Sequence, residues 1–140
     1  MTDEEKAVIQ HRLARAREAF QEAELLLNTG HVNTCVSRLY YACYYAVSAL
    51  LLTRGISAGK HSQVRALLHQ QFVKGGILSR DMGRHFDRLF DSRQKSDYAD
   101  FAAFNADDVA AWTVETRAFV ADVDALVQRW LHEPADGNCQ

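Results

Sequence analysis

The sequence predicts an all-α protein: an up-and-down four-helix bundle with one additional short helix. Three observations carry that expectation. One proline and seven glycines in 140 residues leave long stretches without a breaker. Apolar residues recur at three- and four-residue steps, the period of one helix face, and no sustained alternation marks a strand. The breaks between these segments are short, and long amphipathic helices joined by short turns pack as antiparallel neighbours.

Thr2 and Glu5 form a capping box that opens the first helix. Ile9, Leu13, Ala16, Phe20, Ala23 and Leu27 then give it an apolar seam, and Asn28-Thr29-Gly30 stops it. The second helix, from about 32 to 54, is apolar on most sides: Val36, Leu39, Tyr40, Cys43, Ala46, Val47, Ala49, Leu50 and Leu51 make it the central helix. GISAG (55–59) connects it to a third helix that begins near Lys60, buries Val64, Leu67, Leu68 and Phe72, and breaks at Gly75-Gly76. Ser79 caps a short fourth helix over 80–93. Residues 94–106 read as a polar-aromatic loop. Asn105, Asp107 and Asp108 place acceptors and negative charge at the positive end of the last helix. Its seam is Val109, Trp112, Thr116, Phe119, Val123, Leu126 and Trp130. A helical domain over 1–133 and a flexible tail over 134–140 follow.

Composition excludes several classes. Hydrophobic residues at 48% and charged ones at 24% describe a globular chain rather than a disordered one. The richest apolar run, YYACYYAVSALLL, is 13 residues and laced with tyrosine, too short for a membrane span. TDEEKAVIQ carries no apolar signal core, so a cytoplasmic location is expected. Cys35 and Cys43, eight positions apart on one helix, are separated by about 12 Å of rise and read as reduced thiols. The histidines show no metal-ligand spacing, and GISAGKHS lacks the glycine spacing of a phosphate loop, so neither metal nor cofactor is expected. His61 and Ser62, at a helix start, remain able to hold an anion.

Charge is segregated. Residues 54–95 carry 9 Lys/Arg against 3 Asp/Glu, whereas residues 96–140 carry 2 against 9. A basic middle attracts phosphate or RNA, or else pairs with the acidic last third of its own chain. Arg80, Arg84 and Arg88 form a ridge at i, i+4, i+8, open to either reading. Arg93 is different. It continues the stripe of Met82, Phe86 and Leu89/Phe90, which points a guanidinium toward the bundle, where its donors require partners. Asp97 and Tyr98 are the local candidates; a phosphate or a second subunit are the others. On the second helix Arg38, Tyr41, Tyr45 and Ser48 share a face, fit either for core filling or for a polar cleft.

Three segments in order, SRLYYACYYAVSALLLTRG (37–55), KHSQVRALLHQQFVKGG (60–76) and SRQKSDYAD (92–100), resemble a bacterial and archaeal subfamily of HEPN-domain proteins. The likeness spans about residues 5–131. It implies a four- or five-helix bundle that pairs as a homodimer, often beside a nucleotidyltransferase partner in a toxin–antitoxin or stress module. Active members resemble metal-independent endoribonucleases built on Arg-x4–6-His, the arginine stabilising a charged phosphorane and the histidine moving the 2′-hydroxyl proton. Arg93 occupies the arginine position, but residues 97–100 are Asp, Tyr, Ala and Asp, with no histidine. The leading expectation is therefore a dimer that binds a nucleotide or RNA phosphate through Arg38, Tyr41, Tyr45, His61, Arg93 and Tyr98 without the usual ribonuclease motif. The enzyme alternative uses Arg93 with Asp97, Tyr98 or His61. A structural interaction module is the third reading.

Overall fold

The computed structural model describes residues 1–98 and 103–133, with the side chain of Tyr98 outside the described part. Its elements are α1 (Asp3–Asn28), α2 (Val32–Leu52), α3 (His61–Leu68), a π-helical turn (His69–Val73), α4 (Arg80–Tyr98) and α5 (Ala106–His132). The fold is all-α, as the helical spacing predicts.

α2 is the axis on which every other helix packs. It brings Val36, Leu39, Tyr40, Cys43, Val47 and Leu50 to full burial, against Ile9, Leu13 and Ala16 of α1 and Val123 and Val127 of α5. By length and composition α2 is apolar enough to cross a membrane, but two-thirds of that window is buried inside the bundle, so its apolarity is used by the core. The start of α1 is closed by the capping box: Glu5 N donates to Thr2 Oγ1 at 3.1 Å, and Thr2 N to Glu5 Oε1 at 2.9 Å. Asn105 Oδ1 accepts from Asp107 N and Asp108 N at the head of α5.

Two features differ from the expectations. α4 does not stop at Arg93 but runs on to Tyr98, so the first part of the anticipated 94–106 loop is helix. The sequence there is polar because its partners are polar: Ser96 Oγ donates to the carbonyl of Asn33 at 2.7 Å, and Arg93 pairs with Asp97 one turn on. The third helix also widens after Leu68, with Lys74 N donating to His69 O at 2.8 Å, five residues back. Gly83 lets α4 approach this wide turn; a Cβ there would stand 2.8 Å from His69 Cε1 and 3.2 Å from Val73 Cγ2. The expected tail, 134–140, lies outside the described residues.

The segregated charges pair only in part across the chain. Arg88 meets Glu115 of α5 at 3.3 Å, but Arg84 turns back to Asp81 and Arg65 to Asp91, within the basic third itself. The Arg84 and Arg88 positions of the ridge are thus neutralised by neighbouring carboxylates.

Candidate functional site

The site grows from the tyrosine face of α2. Tyr40 is fully buried, its ring 5.7 Å from Phe86 and 5.9 Å from Phe90 of α4. Tyr41, Tyr44 and Tyr45 are half-buried, with ring centroids 5.7–6.1 Å apart.

Because α4 continues straight past Phe90, Arg93 arrives over these rings. Its guanidinium carbon lies 5.1 Å from the Tyr40 centroid and 5.7 Å from that of Tyr41. Arg93 is only 9% exposed. Its Nη1 donates to Tyr41 Oη at 3.3 Å and to Asp97 Oδ2 at 3.5 Å, both long for charge-assisted bonds. Its Nε is buried with no hydrogen-bond partner. A guanidinium carries five donors, so this one is desolvated without being matched.

The first residue of α3 completes the cluster. The His61 ring stacks on Tyr44 at 4.4 Å, and its Nδ1 lies 2.8 Å from Tyr40 Oη. Burial first, then the Arg93 charge, lowers the His61 pKa from its ordinary 6.5, so the ring is neutral near pH 7. Burial likewise pushes the Tyr40 phenol well above its usual range, so it keeps its proton. That buried O–H needs an acceptor, and the recorded one is His61 Nδ1. The neutral imidazole then carries its own proton on Nε2, as a donor.

Two further arginines border the face. Arg38 lies 4.9 Å above the Tyr41 ring and pairs with Glu22 at 3.1 Å. Arg15 of α1 lies 4.7 Å from the Tyr45 centroid, and its Nη2 donates to Tyr45 Oη at 2.9 Å. The structure therefore gathers Arg38, Tyr41, Tyr45, His61, Arg93 and Asp97 on one side of the bundle. Tyr98 ends α4, but its side chain lies outside the described residues. Ser48, placed on the same face by spacing, is buried. Sequence reasoning assigned Tyr40 to the core alone, and it overlooked Tyr44 and Arg15. The YYxxYY repeat was the available signal, since two adjacent tyrosine pairs cannot all point inward.

A second polar cluster lies within the bundle. His85, 3% exposed, sits with Nε2 2.8 Å from Thr116 Oγ1, and Thr116 in turn stands beside the Cys43 thiol. His85 Nδ1 is 3.3 Å from Glu115 Oε2 but is not aligned for a hydrogen bond. Burial outweighs the attraction of Glu115 and pulls the His85 pKa down to about 4. Among the described residues no three His, Cys, Asp or Glu side chains come close enough to hold a metal ion.

The fold and the site define a class: a small all-α bundle with a buried arginine, a neutral histidine and a row of tyrosines gathered on one side. The chain belongs to the HEPN-domain family, whose model matches residues 9–126. It is similar to a UPF0332 protein of Thermotoga maritima, 35% identical over 90% of this chain and 96% of the relative. It is also similar to a protein of Methanocaldococcus jannaschii named "putative toxin", 31% identical over 66% of this chain and 63% of that protein. A second protein of the same organism, with the same style of name, is 31% identical over 64% of this chain and 67% of its own length.

Proposed function

We propose that this protein binds the phosphate of a nucleotide or RNA in the cleft of Arg93, His61, Tyr41 and Arg38. It would act as a dimer without the usual ribonuclease motif, in a toxin-like module beside a nucleotidyltransferase partner. The observation that carries the reading is the Arg93 guanidinium: nine-tenths buried, its Nε without a partner and its Nη1 held by two long bonds. Burying a cation so poorly matched costs stability, and an anion bidentate to the fork offsets that cost. His61 Nε2–H supplies a neutral donor beside it, and the tyrosine rings supply a stacking surface for a base. The toxin names of two relatives support the module. Titration calorimetry with ATP and with short RNA at low salt tests the proposal. Heat that saturates for wild type and vanishes for Arg93→Ala is expected; equal heats in the two proteins overturn it.

One observation favours the enzyme reading as an alternative. His61 comes from a different helix than the family motif would use, yet its Nδ1 touches the same phenol whose ring carries Arg93. Against it stands the proton assignment, because an imidazole protonated on Nε2 has no free electron pair there to take a 2′-hydroxyl proton. Asp97, a carboxylate already ion-paired with Arg93, is a weak base for an alcohol. Incubating RNA with wild type, Arg93→Ala and His61→Ala separates the readings: cleavage lost in both variants makes the protein a ribonuclease, and equal residual cleavage in all three removes the enzyme.

A further inference from the structure

We propose that the cleft does not end at Arg93 but continues across Tyr45 to Arg15 as a second subsite. Its ligand is then a single-stranded oligoribonucleotide spanning at least two consecutive nucleotides, and not a mononucleotide. This rests on the phosphate-binding reading of Arg93 given above.

Three observations carry it. First, the aromatic surface is continuous: the Tyr41 ring lies 6.0 Å from Tyr45, and Tyr44 lies 5.7 Å from Tyr45 and stacks on His61. All three tyrosines are half-buried, so none of them is sealed within the core. Second, a guanidinium sits against the strip at each stage, Arg93 and Arg38 at Tyr41, then Arg15 at Tyr45. Third, Arg15 differs from Arg17, Arg38 and Arg93 in having no carboxylate. Arg17 pairs with Asp124, Arg38 with Glu22 and Arg93 with Asp97, whereas among the described residues Arg15 makes no ion pair and is fixed only by the Tyr45 ring and hydroxyl.

An oriented, uncompensated cation one helical turn along from the Arg93 site is placed for a second phosphate, about 6 Å of helix rise further on. None of the exposed large aliphatic side chains lies on α2, so the strip offers flat rings and charge rather than an apolar groove for a peptide. Alternating rings and cations are the combination that holds single-stranded nucleic acid, through stacking that tolerates any base and phosphate contacts that release counterions.

The test compares adenosine monophosphate with a hexa-adenylate RNA, by calorimetry at several salt concentrations, on wild type, Arg15→Gln, Tyr45→Ala and Arg93→Met. Arg15 is exposed, and the melting temperature of Arg15→Gln confirms the intact fold. Arg15→Gln is expected to weaken the hexanucleotide about tenfold and to lower its salt slope by about one charge. Tyr45→Ala loses about tenfold or more for the same ligand. Arg15→Gln leaves the monophosphate unaltered, whereas Arg93→Met weakens both. If wild type binds both ligands but Arg15→Gln and Tyr45→Ala bind the hexanucleotide unchanged, the second subsite is refuted and the Arg93 site stands. If wild type binds neither, the Arg93 reading fails and the subsite with it.

Discussion

Replacing Arg93 by methionine separates a receptor from a clamp. Methionine keeps an unbranched stem of similar length and removes the charge, so the packing over Tyr40 is largely retained. What disappears is an unmatched guanidinium. Its buried Nε, with no partner, costs about 1–3 kcal/mol by the usual penalty for a desolvated donor. What is lost in exchange is a 3.3 Å hydrogen bond to Tyr41 and one 3.5 Å charge-assisted contact to a partly exposed Asp97, while the guanidinium's contacts with the Tyr40 and Tyr41 rings are offset by the sulfur–aromatic contacts methionine makes in their place. Bonds of that length contribute less than about 1 kcal/mol together, given that a well-made one contributes about 1. The balance favours the variant by about 1 kcal/mol, in line with the stability gained when poorly satisfied buried charges give way to apolar side chains. For a chain of this size the melting temperature should then rise by about 3 °C. Urea denaturation of both proteins, without ligand, at pH 7.5 measures the difference. A loss of more than about 1 kcal/mol in Arg93→Met would refute the reasoning. It would mean that Arg93 holds the end of α4 to α2 and that the cleft is built for packing.

Lowering the pH should destabilise the fold through His85. Its folded pKa of about 4 lies below the ordinary 6.5, so the folded state binds fewer protons and the stability contributed is complete above pH 6.5. It is lost as pH falls toward 4, with about 2 kcal/mol gone by pH 5; urea midpoints across this range check it, and His85→Gln should flatten the curve. Long-range 15N NMR should find the His61 proton on Nε2 in wild type, and Tyr40→Phe should release that preference while costing about 1 kcal/mol of stability. A proton found on Nδ1 removes the argument against a general base. Asn105→Ala removes the acceptor of two backbone donors at the head of α5 and should cost about 1 kcal/mol in urea denaturation.

The sequence was most legible where local chemistry decides the outcome. The capping box at Thr2 and Glu5 and the Asn105 cap are contests between near neighbours, so spacing alone reveals them. It was least legible where a polar run is satisfied from afar. Gln94-Lys95-Ser96 looks like a loop until Ser96 finds the Asn33 carbonyl sixty-three positions away. The π-helical turn escaped notice for a related reason, since one extra residue per turn leaves Phe72 buried and the apolar pattern unbroken. Within the site, the inward direction of Arg93 followed from its stripe. The meeting of His61 with Tyr40 did not, because it depends on the path taken by the 55–60 connector. Tyr40 itself was misjudged by treating the core and the cleft as exclusive, when its ring serves one and its hydroxyl the other.

α2 lies at the centre of the molecule and also carries the tyrosine strip. Amide hydrogens from Tyr40 to Tyr45 should therefore exchange with solvent only through opening of the entire bundle. For the proposed ligand the strip is in that sense pre-cast: a guest would meet a backbone already rigid and spend little of its affinity on ordering it. Adaptation to different guests would then fall to Arg15 on α1, whose exposed side chain can be re-aimed while the tyrosines stay where they are.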